Sequence, residues 1–338
     1  MTTSNNHQEN KQLVWSFLQE LNNATPDNIK NIFSKYHSTD ANFNISYPFN
    51  IIKGIDKYID TFWKDFLHAF PSRTRVESVF FSGDFDNKQW VTVTGNYCAE
   101  FEHDWLGIPA NNKITYIRYG EFYQIENNKI VNTYVLYDIV DIIRQAGITL
   151  LPSSLGTELP FPLPQTQDGI LLNQQSDEAS KASLKLVEDM IFIGLRDRSK
   201  DEFASRGAER YWHPKVMWYG PCGIGSTRGI DGFQKQHQEP FIRAFPDRVG
   251  GDHKARFAEG NYIASTGWPS INATHTGEGW LGLAPTGKKI TMRVMDFWRR
   301  EESLLVENWV FIDFLDLFKQ MGYDLLERMK TQLNPLRR

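Results

Sequence analysis

The sequence predicts two copies of one α+β unit, each combining helices with an antiparallel sheet. Three observations carry this. Residues of the first half recur in the second at a constant spacing of 175, each half passes from helical to alternating patterning, and a proline-rich stretch separates the halves.

The repeat runs the length of the unit. Gly54-Ile55-Asp56 returns as Gly229-Ile230-Asp231, and Phe66, Ala69, Phe70, Pro71 and Arg73 return as Phe241, Ala244, Phe245, Pro246 and Arg248. Trp105-Leu106-Gly107 returns as Trp280-Leu281-Gly282, and Arg118 and Phe122 as Arg293 and Phe297. Asp138, Asp141, Gln145 and Gly147 return as Asp313, Asp316, Gln320 and Gly322. A period this long is a whole domain, not a solenoid repeat. We therefore expect one domain over 1–150, a connector over 151–176 and a second domain over 177–338. Pro152, Pro160, Pro162 and Pro164 make the connector extended, while Phe161, Ile170, Leu171 and Leu172 give it apolar groups to pack with.

Each element follows from local pattern. Leu13, Phe17 and Leu21 mark an opening helix, as Leu184, Val187, Ile191 and Leu195 do in the second copy. Short extended segments follow, around Phe43–Tyr47 and Val216–Tyr219. Tyr58, Phe62, Phe66 and Ala69 form the buried stripe of a second helix, with Asp56 and Asp231 as expected N-caps and Pro71 and Pro246 as stops. Trp90–Thr94, Ile114–Phe122, Lys129–Tyr137 and Ile290–Trp298 alternate as strands, with Asn127-Asn128 as a turn. Closing helices run from Ile139 to Gln145 and from Phe314 through Met329. A sheet curved around a helix encloses a pocket.

Composition narrows the function. The chain has 338 residues, 23% charged and 41% hydrophobic, with a formal charge of −4 and no Lys/Arg stripe, which argues against nucleic acid as a partner. No apolar run reaches membrane-spanning length and the first residues lack a signal-peptide core, so a cytoplasmic protein is expected. Cys98 and Cys222 stand alone, and no His, Cys or acid spacing matches a metal site; neither metal nor cofactor is expected. Phosphate-binding loops, zinc-hydrolase motifs and nucleophile elbows are missing too. With aromatics at 14%, aromatic-lined cavities are open to the fold.

Asp138 and Asp313 are the foremost chemical candidates. Each ends an apolar strand, and a carboxylate among apolar groups has its charged form disfavoured, which raises its pKa toward proton-transfer range. Each also begins a helix with an acid three residues on, so an N-cap explains the same residues. His275, on an alternating run, could polarise a carbonyl or shuttle a proton, or simply belong to the surface or the core. Arg118 and Arg293 lie in apolar strands and require partners from other elements.

In the second copy, Thr274-His275-Thr276-Gly277, then Gly282-Leu283-Ala284-Pro285-Thr286-Gly287, Glu307-Asn308-Trp309, Asp313 and Gln320-Met321-Gly322 resemble the SnoaL-like polyketide cyclases. Ala-Phe-Pro at 69–71 and 244–246 is similar to that family too. The resemblance implies a nuclear-transport-factor-2-like fold, a cone of curved antiparallel sheet and helices, and cofactor-free intramolecular aldol cyclisation of a polyketide ester. It implies Asp313 as acid/base, with His275 nearby. The first copy departs from the pattern: Asn111-Asn112 replaces Thr-Gly, Asn132 stands where Glu307 does, and the His is missing, though Asp138 remains. The second pocket is therefore the favoured one.

The expected activity is a cyclase, isomerase or lyase acting α to a carbonyl of a small hydrophobic or polyketide-like compound. The expected catalytic residues are Asp313, His275 and Asp138. Trp218, Trp268 and Trp309, with Trp105 and Tyr134 in the first copy, are the expected pocket aromatics. A non-catalytic binder of a hydrophobic metabolite is the alternative. The tandem is also expected to make, within one chain, the sheet-to-sheet dimer that single-domain members of this fold form.

Overall fold

In a computed structural model, which describes residues 3–196 and 208–334, the chain builds one α+β unit twice. The first opens with α1 (Thr3–Asn22), whose Val14, Phe17, Leu18 and Leu21 are buried at helical spacing, and α2 (Ile29–Tyr36). β1 (His37–Ile45) and β2 (Asn50–Lys53) lead to α3 (Ile55–Tyr58), which continues through a π-helical turn (Ile59–Trp63) into α4 (Lys64–Ala69). The meander β3 (Thr74–Phe85), β4 (Lys88–Glu100), β5 (Ile114–Glu126) and β6 (Lys129–Tyr137) follows, closed by α5 (Ile139–Gln145).

The second unit repeats this as α6 (Asp177–Phe192), α7 (Ala208–Tyr211), β7 (Trp212–Tyr219), β8 (Thr227–Arg228) and α8 (Gly229–Phe233). A π-helical turn (Gln234–Gln238) joins α8 to α9 (Glu239–Ala244). β9 (Val249–Gly250), β10 (His253–Glu259), β11 (Tyr262–Thr274), β12 (Lys289–Glu301) and β13 (Leu304–Ile312) then precede α10 (Phe314–Gln320) and α11 (Leu325–Leu333).

Three local expectations need correction. Asp56 and Asp231 do not cap their helices: the N-cap positions are Gly54, whose φ of 86° makes the turn, and Arg228, and both acids sit inside the first turn. The last helix is two, because Gly322 (φ 89°) ends α10 and Asp324 caps α11. The sheets are mixed, not wholly antiparallel. Their orders are β2-β1-β6-β5-β4-β3 and β10-β11-β12-β13-β7-β8, with β9 on β11. β1 runs parallel to β6, and β7 to β13, because the intervening helices and meander return the chain in its starting direction.

Strand alternation gives each sheet two distinct faces. On β12, Met292, Val294, Asp296 and Trp298 face inward under the helices, while Met295 and Phe297 face the other unit. Phe122 of β5 meets Phe297 at 5.6 Å between ring centroids, and the two are equivalent residues of the two copies. Gly120 eases this contact: a Cβ at that point would lie 3.1 Å from both Phe297 and Phe311, closer than ordinary packing.

The stretch between the units joins this interface. Phe161 packs on Phe311 at 5.2 Å and lies under the Arg118 guanidinium. Lys11 of α1, 1% exposed, pairs with Glu259 of β10 at 2.5 Å. The two sheets and the connecting segment thus share one buried layer.

Candidate functional site

The concave face of the second sheet lines a half-open chamber of about 580 Å³. Its floor is Met292, Val294, Asp296 and Trp298 of β12 with Asn308, Val310 and Ile312 of β13. Its roof is the π-turn and its flanks, where Phe233, His237 and Phe241 recur every four residues. Trp218 of β7 stacks on His237 at 4.1 Å and 15°. The rim carries Phe192 and Val249, both exposed.

Asp296 is the acidic residue in this lining. Burial pushes its carboxyl up to about 7, against a hydrogen bond from Asn308 and the charge of Arg256, which pull the other way. Burial lowers His237 to about 3, so its imidazole stays neutral at physiological pH. His253, also in the lining, is lowered by burial as well. The arrangement provides a carboxyl that exchanges a proton near neutrality inside apolar walls, with a neutral imidazole in the roof.

The same place in the first unit is filled. Glu121, at the position of Asp296, receives Arg75 through Nη1 at 3.1 Å and Nη2 at 2.8 Å, and the Tyr123 hydroxyl at 2.6 Å. Tyr119, Tyr137 and Phe62 occupy the space around it, Phe62 stacking on Tyr137 at 5.3 Å. At the constant offset, Arg75 becomes Gly250, Tyr119 becomes Val294, Tyr137 becomes Ile312 and Phe62 becomes His237. Loss of that side-chain volume opens the second chamber.

Of the expected catalytic residues and pocket aromatics, only Trp218 lines the chamber. Asp138 and Asp313 instead form a reciprocal latch between the units. Asp313 Oδ2 accepts the Tyr47 backbone N–H at 2.9 Å and Arg293 Nη1 at 3.1 Å, while Oδ1 accepts the Asp316 N–H and caps α10. Asp138 Oδ2 accepts the Cys222 N–H at 2.8 Å and faces Arg118 Nη2 at 2.6 Å, while Oδ1 caps α5. Tyr47 and Cys222 are themselves equivalent at the repeat offset, so each unit offers its first turn to the other's carboxylate. Burial raises both carboxyls to about 6 despite the opposing arginines. The partners that Arg118 and Arg293 required are these two aspartates.

The other candidates also fall outside the chamber. His275 is fully buried, its Nδ1 3.3 Å from Thr286 Oγ1 and its ring against Phe245, where it fastens the 276–287 turn. Trp309 donates Nε1–H to the Pro162 carbonyl at 3.1 Å in the layer between units. Trp268 packs on Tyr134 at 5.6 Å and under Arg293, again between units. Trp105 belongs to the first unit's core. Sequence reasoning passed over Asp296; an acid among alternating apolar residues, matched by Glu121 in the other copy, was its only signal.

One group of potential metal ligands exists among the described residues: Asp141, Glu158 and Cys222 lie within 4.8 Å of one another. Arg144 Nη2 at 2.7 Å and Arg118 Nη2 at 3.4 Å already pair with Asp141, so a cation there would confront two guanidiniums. The group fits a salt-bridge network better than a metal.

Among solved structures, a protein of Jannaschia sp. CCS1 named as a candidate SnoaL-like polyketide cyclase is 13% identical, covering 44% of this chain and 98% of its own at a TM-score of 0.36. TsrD from Streptomyces laurentii is 19% identical, covering 42% and 96% at 0.34. A nuclear-transport-factor-2-like protein from Burkholderia xenovorans LB400 is 13% identical, covering 42% and 97% at 0.33. No curated protein matches the sequence. No helix among the described residues is long and apolar enough to cross a membrane. The family model for SnoaL-like polyketide cyclase matches twice, over residues 12–146 and 198–321, more than half of the chain and once in each unit. The chain therefore belongs to the SnoaL-like polyketide cyclase family, in two tandem copies.

Proposed function

We propose that the second unit is a cofactor-independent small-molecule site of cyclase, isomerase or lyase type, with Asp296 as its acid/base. One observation carries this reading: a carboxyl brought to about 7 on the floor of a 580 Å³ apolar chamber. As carboxylate, Asp296 removes a proton α to a ligand carbonyl, and the electron pair moves to the carbonyl oxygen as an enolate. In an aldol closure the enolate carbon then bonds to a second carbonyl carbon of the same ligand. The resulting alkoxide takes back the proton from Asp296, so no other reactant is consumed. In this reading His237, neutral and stacked on Trp218 in the roof, serves as the hydrogen-bonding group for the reacting oxygen. The apolar side chains around Asp296 limit the water that would otherwise compete for the proton.

The test uses α-tetralone, a flat aryl ketone, in D2O, with loss of its α-proton signals followed by NMR. The wild-type chain is expected to accelerate exchange over buffer, Asp296→Asn to abolish the acceleration, and Asp313→Asn to retain it. Equal rates for wild type and Asp296→Asn would sink the assignment. A second reading has its own support: a protonated Asp296 near pH 7 is a donor that can hold a carbonyl without turnover. Saturable tetralone binding that needs Asp296, with no exchange, would select that binding role.

A further inference from the structure

Resting on the chamber reading above, we infer that the ligand carries an anionic head group beside its apolar body, and that Arg256 is the residue that pairs with it. Arg256 of β10 stands opposite Ser265 of β11, which stands opposite Asp296 of β12. Residues in one cross-strand row share a face of the sheet, and Ser265 and Asp296 both line the chamber. The Arg256 side chain therefore leaves the sheet on the chamber side. Its guanidinium lies 5.2 Å from the ring centroid of Phe192, a rim residue of the same chamber.

Arg256 as a whole is 5% exposed, and its Nε and Nη2 have no hydrogen-bond partner among the described residues. Glu188 of α6 and Asp296 are the acids whose charge reaches it, and neither forms an ion pair with it. Desolvation lowers the Arg256 pKa, the mark of a buried cation without adequate compensation. Guanidinium remains charged regardless, so its unused donors make an anion site. The lining itself points the same way: Arg196 borders the chamber, and Asp296 is the one acidic residue among the described residues that line it. Walls of low polarity concentrate this positive potential. Glu121 and Arg75 in the first unit show the arrangement satisfied internally, a carboxylate held bidentately by an arginine within the same cone.

Two dyes of one aromatic frame test the inference. 1-Anilinonaphthalene-8-sulfonate carries a sulfonate, and N-phenyl-1-naphthylamine does not. Fluorescence titration of the full chain is expected to give roughly tenfold or tighter binding of the sulfonate, the size of a charge-assisted contact. Arg256→Gln is expected to erase that preference by weakening the sulfonate alone, and Arg256→Lys to keep part of it. Equal affinities in the wild type, a comparison that needs no variant to fold, would overturn the inference. So would a preference that survives in folded Arg256→Gln. Val310→Trp, which fills the chamber floor, separates this failure from failure of the site itself. If it expels both dyes and the wild type does not discriminate, only the anion assignment falls; if it expels neither, the chamber reading falls with it.

Discussion

At the scale of single residues, burial sorts three carboxyls into two kinds of work. Asp138 and Asp313 hold backbone amides and arginines across the seam, whereas Asp296 meets a cavity. The latch pair should differ in strength. Arg118 is 1% exposed and Arg293 17%, so stranding Arg118 is the costlier loss. Asp138→Ala is expected to destabilise by about 3–5 kcal/mol, the range for orphaning a buried ion-pair partner. Asp313→Ala should cost less, about 2 kcal/mol, including about 1 kcal/mol for its cap. Chemical denaturation measures both, and the reverse ranking would contradict the latch as described.

Asp296 should declare itself through pH. Its carboxyl is raised from 3.8 to about 7 on folding, so its contribution to stability is full at pH below about 4 and fades as pH rises through 7. Asp296→Asn removes that dependence, and the variant should gain on the wild type between pH 4 and 8. The undiscounted shift corresponds to about 4 kcal/mol at 1.4 kcal/mol per unit. Because the group borders a chamber with an exposed rim, about 2 kcal/mol or less is expected. Wild-type tetralone exchange should rise with pH to a plateau above about 7, since the base form is the active one. A flat profile from pH 5 to 8 would contradict the assignment.

At the scale of elements, the duplicated sheets differ by side-chain volume on one face. Restoring the first copy's residues tests this directly. Val294→Tyr with Ile312→Tyr is expected to fill the second chamber and abolish dye and ketone binding. The fold should survive at a cost of about 1–3 kcal/mol, typical of overpacking, because the sheet tolerates tyrosine at these positions in its twin. Unchanged binding in the filled variant would place the ligand elsewhere.

The same elements explain what could be read from sequence. The repeat, the helical stripes and the alternating strands were legible because each depends on local period. The latch was not. A carboxylate at an apolar strand end looks alike whether it faces a pocket or another domain, and its partners at Tyr47 and Cys222 are backbone amides without a side-chain signature. Asp296 escaped notice because its meaning depends on which face of β12 is concave. That face is fixed only once β12 is registered against β11 and β13.

At the scale of the molecule, the seam between sheets is a buried aromatic layer, crossed by Phe122–Phe297 and sealed by Phe161. Such a layer saturates the sheet faces that would otherwise pair between chains. The full chain is expected to be monomeric by light scattering at micromolar concentration, and Phe297→Asp to expose the layer and cause association or unfolding. A tight wild-type dimer would require a second adhesive face.

The mutual handhold of Asp138 on Cys222 and Asp313 on Tyr47 has a consequence for divergence. In a dimer of identical subunits, any substitution that plugs one pocket plugs its twin as well. Fusing the partners lifts that restriction. One lobe can harden into a buttress of stacked rings and an internal arginine–glutamate clasp, while the other stays hollow on the support its sibling provides.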